Sequence, residues 1–343
     1  MRIPPKVVPG DRVAVLSLAA PAPAVFPAVH ELGLRRLREQ IGLVPVEFPT
    51  TRRGGSAAER ARDLMAAWGD PGIRAVMATI GGDDQITVLR HLDPEVFRAD
   101  PKPFFGYSDN TNLLNWLWYH GVAGYHGGST MVYLAQGGGI DPVHEKSLRA
   151  ALFTGGDVEV HPVAEFSDEE LNWADPASLE RSVPPYASPG WTWHQPDRVV
   201  SAPAWGGSLE ILSWTAAVSR WVRPVEDYSG CVLLLETSEE LPSAEKVFRI
   251  LRNFGERGLL EQFPAVLFAQ AKGTAIGDER PVPARTEYRE QQREAVLKAF
   301  ATYHPEAMIV FGVDFGHTSP QWILPYGGRI TVDGPARRIT AHY

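Results

Sequence analysis

Short, nearly continuous apolar runs recur along this chain, bounded by turn residues and separated by segments of helical periodicity. In the first half, Arg12–Leu18 (RVAVLSL) and Arg74–Ile80 (RAVMATI) have the length and flanking residues of buried strands. Between them, Glu59–Trp68 places Ala61, Leu64, Met65 and Trp68 on one helical face. Asp84–Leu92 reads as a short helix, and Phe104-Phe105 leads through Gly106-Tyr107-Ser108-Asp109 into a Leu/Trp-rich helix that ends near His120. Strands at these intervals with helices between them specify a mainly parallel sheet covered on both faces.

The regular pattern lapses from about Thr154 to Val200, where Gly, Pro, Ser and acidic residues become dense. Trp173, Trp191, Trp193, Trp205, Trp214 and Trp221 lie in this stretch or just after it, out of 10 tryptophans in all. An irregular stretch this long inside a compact protein is functional or a linker, and its aromatic content argues against a disordered linker. Order then resumes. Cys231–Glu236 (CVLLLE), Ala265–Ala271 and Ala307–Phe311 read as strands, with helices near Ser243–Gly255 and over Arg285–Tyr303, the longest amphipathic segment. Trp322–Pro325, Arg329–Val332 and Arg338–His342 make the end β-rich. The expected organisation is an N-terminal α/β domain over 1–150, a Trp-rich connecting or substrate segment over 151–200, and a C-terminal α/β domain with barrel-like β structure over 201–343. A length of 343 residues accommodates two domains.

Composition removes several function classes. Asp and Glu outnumber Lys and Arg by 41 to 33, so the chain lacks the basic footprint of a nucleic-acid polymer binder. No apolar stretch reaches the roughly 20 residues that span a bilayer. The best candidate, Val13–Phe26, is interrupted by Pro21 and Pro23 and preceded by Asp11-Arg12, unlike a signal peptide. A cytoplasmic location without membrane partners is the resulting expectation. The single cysteine, Cys231, rules out an internal disulfide framework and a thiolate-rich metal site. No H-E-x-x-H or comparable ligand spacing occurs, so no metal is expected.

Four positions have the chemistry and placement of a reactive site. Ser108 follows an apolar strand and opens a helix, a turn that exposes a hydroxyl and directs the next backbone N–H into the same space. Asn110 stands where G-x-S-x-G would require its second Gly, and Ser108 or Asp109 capping the helix is the plainer reading. Gly81-Gly82-Asp83-Asp84 also joins a strand to a helix. Its glycines can present N–H groups to an oxyanion or a phosphate, or simply form a tight βα turn. Glu236 ends the most apolar strand and requires a partner or solvent. His317 lies in the Gly-flanked loop Gly312–Pro320, with His120, His126, His144 and His194 as rivals.

Phe105–Asn112 (FGYSDNTN) together with Ile80–Asp84 (IGGDD) resembles the S66 serine peptidases, the family of the murein LD-carboxypeptidases and the microcin C self-immunity peptidases. Trp205–Leu209 (WGGSL), Leu233–Glu240 (LLLETSEE) and Asp314–His317 (DFGH) continue the resemblance in family order from about residue 10 to residue 335. It implies a Ser108-Glu236-His317 triad, with the serine on the N-terminal domain, Glu236 and His317 on the C-terminal domain, and substrate in the cleft between them. It also implies an oxyanion hole from backbone N–H groups of Asp109 and the Gly82-Asp83 turn, each such donor worth about 2.7–4 kcal/mol. No cofactor is implied. Relatives are often dimers, which makes a homodimer the expected assembly.

The Trp-rich segment resembles the longer loop of the microcin-immunity branch. The leading expectation is therefore a serine hydrolase cleaving an amide-like bond next to an acidic aminoacyl group of a small aminoacyl-nucleotide. Release of D-Ala from a murein tetrapeptide is the alternative, and a catalytically silent binding protein using the same cleft is a third reading. Trp173 is the candidate for stacking a purine; Trp191 and Trp193 fit interface packing as well. Ser208 stands where the family commonly has Asn, which keeps a hydroxyl but loses an amide at a candidate substrate contact.

Overall fold

The computed structural model describes residues 1–343 apart from Ile276 and Glu279. Two sheets dominate it. The first has six strands in the order Leu324–Tyr326, Gly124–His126, Phe104–Gly106, Ile73–Ala78, Arg12–Leu16, Val44–Glu47. All neighbours pair in parallel except Leu324–Tyr326, which is antiparallel to Gly124–His126. The second has eight strands, ordered Asp157–Val160, Arg338–His342, Arg329–Asp333, Val199–Ser208, Val232–Glu236, Ala265–Ala269, Met308–Val313, Thr192–His194. Its centre, from Val199–Ser208 through Met308–Val313, is parallel, and the strands outside that block are antiparallel. The order ends in two free edges, so the sheet is open and the barrel-like expectation reduces to a mixed sheet.

Both faces of each parallel block are buried. Ala14 and Leu16 point into one cluster with Leu64, Trp68 and Leu117, whereas Val13 and Val15 pack with Leu34, Leu37 and Leu152 on the other side. In the second sheet Leu233 and Leu235 join that same first cluster, and Val232 and Leu234 pack with Leu267, Val310 and Ile330 on the other face. One continuous core therefore runs between the sheets, which is why Trp205 and Trp116 belong to it.

The helices follow their local signals. Ala57–Gly69 begins at a capping box in which Ser56 Oγ accepts from the Glu59 N–H while the Glu59 carboxylate accepts from the Ser56 N–H. The helix expected over 84–92 shortens to Ile86–Leu89. The longest helix, Val282–Tyr303, is not apolar along its whole inner face: Arg285 and Gln292 are buried beside Tyr288, and an aliphatic face develops only from Ala295.

The segment expected to be irregular has structure of its own. Asp157–Val160 and Thr192–His194 close the two edges of the second sheet, and Glu165–Phe166 pairs with Tyr186–Ala187. Buried Asp168 anchors this segment. It accepts from the Gly273 N–H at 2.8 Å, from Tyr186 Oη at 2.5 Å and from Arg285 Nη1 at 2.9 Å, and it also pairs with Arg289. Burial alone would raise its pKa, but the tyrosine hydrogen bond and the arginines hold it below the usual carboxylate value. Asp314 provides a second anchor, accepting from Trp191 Nε1 at 3.1 Å and from the Val163 N–H at 3.3 Å, while burial pushes it up to about 7. Trp191 and Trp193 therefore pack on the second sheet.

Replacing Asp168 by Asn leaves the buried Arg285 and half-buried Arg289 guanidinium groups facing a neutral amide, a loss of up to about 3–5 kcal/mol for a broken buried pair. Limited proteolysis is expected to cut within 161–198 first in this variant and not in the wild type. Identical cleavage of the two proteins would remove Asp168 as the anchor.

Candidate active site

Each parallel strand that reaches the gap between the sheets delivers its carboxyl end there, the usual location for sites in open α/β sheets. Phe104–Gly106 delivers Ser108, Val232–Glu236 delivers Glu236 as its last residue, and Met308–Val313 leads into the loop of His317. Ser108 has φ 58°, a left-handed conformation costly for a residue with a Cβ. The following turn, Ser108–Asn110, runs straight into the helix Thr111–Tyr119. This is the strained strand-to-helix elbow expected of an exposed nucleophile.

Gly81 makes the elbow possible. A Cβ on Gly81 would lie 2.9 Å from both Cβ and Oγ of Ser108 and 3.4 Å from the Asp109 nitrogen. The serine side chain occupies the space that glycine leaves. Gly82 also lines the cavity in front of Ser108, whereas Asp83 is exposed and outside it. Asp109 is fully buried and holds the elbow, its carboxylate accepting from the Gln85 N–H at 2.9 Å and from Asn112 Nδ2 at 2.7 Å. Burial pushes its pKa up to about 6 despite these donors.

On the opposite wall, Glu236 Oε2 lies 2.5 Å from His317 Nδ1, and Glu236 is fully buried. His126, from the first sheet, stands behind this pair with Nε2 3.9 Å from Glu236 Oε1. Burial lowers the His126 pKa to about 4, so the ring is neutral there. The other histidine rivals are occupied elsewhere: His144 Nδ1 lies 3.1 Å from the Gln321 carbonyl, His120 meets Arg98, and His194 sits on an edge strand. Tyr133 Oη reaches the carbonyls of Gly316 and Thr318 at 3.1 and 3.2 Å, fixing the His317 loop from the N-terminal half.

Ser108, Gly81, Gly82, Tyr107, Trp173, Glu239, Lys272 and His317 line one cavity of about 560 Å³. Trp173 packs edge-on against Phe26 at 5.5 Å and forms part of its wall. No hydrogen bond joins Ser108 to His317 among the described residues. Instead the Glu239 carboxylate lies 3.2 Å from His317 Nε2, and the alignment makes no hydrogen bond. Burial by itself would lower the His317 pKa, but Glu236 and Glu239 more than offset it and push it up to about 9. Ser208 is placed differently from a cavity wall. It pairs in register with Glu236, its N–H donates to Thr111 Oγ1 at 3.2 Å, and its hydroxyl donates to Glu210 at 3.2 Å. Glu210 in turn accepts from the Ser238 N–H at 3.1 Å, shaping the turn that carries Glu239.

The sequence motifs did not single out Glu239, Tyr133 or the role of Gly81 against Ser108. Glu239 was visible only as one of several acids in a polar turn.

The geometry defines a two-domain α/β protein with a buried Glu–His pair facing a strained serine. Comparison with known proteins gives that description a family. The LD-carboxypeptidase N-terminal domain of peptidase family S66 matches residues 13–127, and the LD-carboxypeptidase C-terminal domain matches residues 201–332. The chain belongs to peptidase family S66. It is 26% identical to a Vibrio cholerae protein provisionally named a carboxypeptidase, over 94% of this chain and 92% of that one. It is 24% identical to the microcin C7 self-immunity protein MccF of Escherichia coli, over 96% of this chain and 93% of that one. Among solved structures, MccF in complex with aspartyl sulfamoyl adenosine superposes with a TM-score of 0.84 at 22% identity, covering 100% of this chain and 99% of MccF.

Gly81→Ala tests the elbow. Its backbone is not in a glycine-only conformation, so the added methyl acts through its clash with Ser108. Labelling of Ser108 by a fluorophosphonate is expected to slow by about 10²–10³, the cost of a lost oxyanion-site geometry. Labelling at the wild-type rate would show that Gly81 does not shape the elbow at Ser108.

Proposed function

We propose that this protein is a serine hydrolase that cleaves an amide-like bond of a small aminoacyl-nucleotide. The observation that carries the reading is the Glu236–His317 pair, 2.5 Å apart and buried, facing the cavity into which Ser108 is held at φ 58°. Ser108 Oγ attacks the acyl carbon while His317 Nε2 takes its proton. Glu236, holding Nδ1, keeps the imidazole in one tautomer and stabilises the imidazolium. Backbone N–H groups of Asp109 and the Gly82-Asp83 turn receive the oxyanion. The C–N bond breaks as His317 returns the proton to the leaving nitrogen. Water, deprotonated by His317, then releases the acyl group and restores Ser108.

Trp173 supports a nucleotide in preference to a murein peptide. It is an aromatic wall of the cavity, and stacking on a base contributes about 1–3 kcal/mol. Carboxypeptidase names among the relatives make D-Ala release from a murein tetrapeptide the competing reading.

Incubating wild-type and Ser108→Ala proteins with aspartyl sulfamoyl adenosine and with a murein tetrapeptide ending in D-Ala separates the two. Serine-dependent cleavage of the adenosine compound alone is the expected result. Release of D-Ala alone would reassign the substrate, and near-wild-type turnover by Ser108→Ala would remove the serine from the mechanism.

The histidine also predicts a pH profile. A base must be neutral, and His317 is held protonated up to about 9, so kcat/KM rises with pH through the neutral range. The expected slope is about tenfold per pH unit below that value, as a single proton must leave the free enzyme. A flat kcat/KM from pH 5 to 8 would exclude a histidine base.

A further inference from the structure

Glu239 poses a problem for the mechanism just described. Its carboxylate stands 3.2 Å from His317 Nε2, the atom that has to face Ser108. It is also the cavity's uncommitted acid. Glu169 is held by Arg285 at 3.2 Å and Glu170 by Lys272 at 2.9 Å, while Glu239 has only His317 within ion-pair distance among the described residues. Its side chain is 51% exposed and lines the cavity beside Ser108 and His317. An acid so placed, with no rigid partner, suits a cation brought by the substrate. In an aminoacyl compound that cation is the ammonium on the carbon next to the scissile carbonyl, within a bond length or two of the attacked atom.

We propose that Glu239 recognises the substrate ammonium group, and that by turning to it Glu239 releases His317 to act as base toward Ser108. The inference rests on the hydrolase reading above and adds a recognition residue to it. The proton balance is simple. In the free enzyme His317 is an imidazolium between two carboxylates; when the ammonium takes up the Glu239 charge, the Nε2 proton leaves to solvent, and the neutral nitrogen then accepts the Ser108 proton.

The other groups around His317 do not supply this switch. Glu236 is held on Nδ1, and Lys272, paired with Glu170, acts on the imidazole only as a minor opposing charge. His126 sits behind Glu236 and is neutral. Tyr107 packs its ring 4.9 Å from the imidazole, Tyr133 holds the loop backbone, and burial keeps both phenols protonated. Among the described residues, only Glu239 combines charge, exposure to the cavity and contact with Nε2. The reading also accounts for the missing Ser108–His317 hydrogen bond, which forms once Glu239 turns away.

The test uses Glu239→Gln, an isosteric change at an exposed position, with two readouts that move in opposite directions. Labelling of Ser108 by a neutral fluorophosphonate at pH 7 is expected to become about tenfold faster, the effect of lowering the base pKa by one unit. Hydrolysis of aspartyl sulfamoyl adenosine is expected to lose about ten- to hundredfold in kcat/KM, while the analogue with a succinyl group in place of aspartyl, lacking only the ammonium, is spared. A merely structural role would slow labelling and hydrolysis together. Labelling no faster than wild type, or an unchanged preference for the amine compound, would overturn the proposal. Failure of the probe to label Ser108 in the wild type would instead overturn the hydrolase reading itself.

Discussion

The contact on which the rest of the site depends is the buried carboxylate–imidazole pair of Glu236 and His317. Glu236 ends a strand whose other residues are all apolar, and its side chain has no access to water. A bare carboxylate there would carry a desolvation cost of several kcal/mol, so it requires a partner held at hydrogen-bond distance. His317 supplies it from a loop 81 residues later. That one requirement fixes where the loop after Met308–Val313 must lie, and Tyr133 and Gln321 then clamp its carbonyls.

The N-terminal half is tied to this pair from the other side. The Thr111 hydroxyl, at the start of the helix behind Ser108, accepts from the Ser208 N–H, and Ser208 is the register partner of Glu236. Ser108 and the Glu236–His317 pair are thus held together across the two sheets by this hydrogen bond, by others such as Trp205 Nε1 to Asn115 Oδ1, and by a shared core. The crossing of Leu324–Tyr326 into the first sheet strengthens that union, since the last part of the chain completes the sheet that carries the serine. The cavity is thus built from both halves, and the wall bearing Trp173 packs on Phe26 of the N-terminal half while Asp168 and Asp314 anchor its flanks.

Much of the architecture was legible beforehand because buried parallel strands need uninterrupted apolar runs, and RVAVLSL, RAVMATI, CVLLLE and AVLFAQA are such runs. The observed strands begin and end within a few residues of them. Ser108 was legible only through the family resemblance of FGYSDNTN, since a small polar residue between an apolar strand and a helix reads locally as a cap. The segment 154–200 was not. Its short strands are edge additions whose order comes from long-range pairing and from buried Asp168, and neither leaves a periodic trace. Glu239 was equally hidden, because its importance comes from standing against His317 Nε2. Ser208 was read as a substrate contact from its motif, yet its hydroxyl is turned to Glu210.

By itself the sequence determined the elements, the mainly parallel sheet of the N-terminal half and the family, because these rest on local patterning and on motifs spread along the whole chain. The tertiary structure alone decided which acids face the cavity, how Glu239 stands against His317 Nε2, and how Gly81 leaves room for Ser108. Those are properties of side chains distant in sequence and a few ångströms apart in space. Their charges and volumes act only at that range, so no spacing along the chain records them.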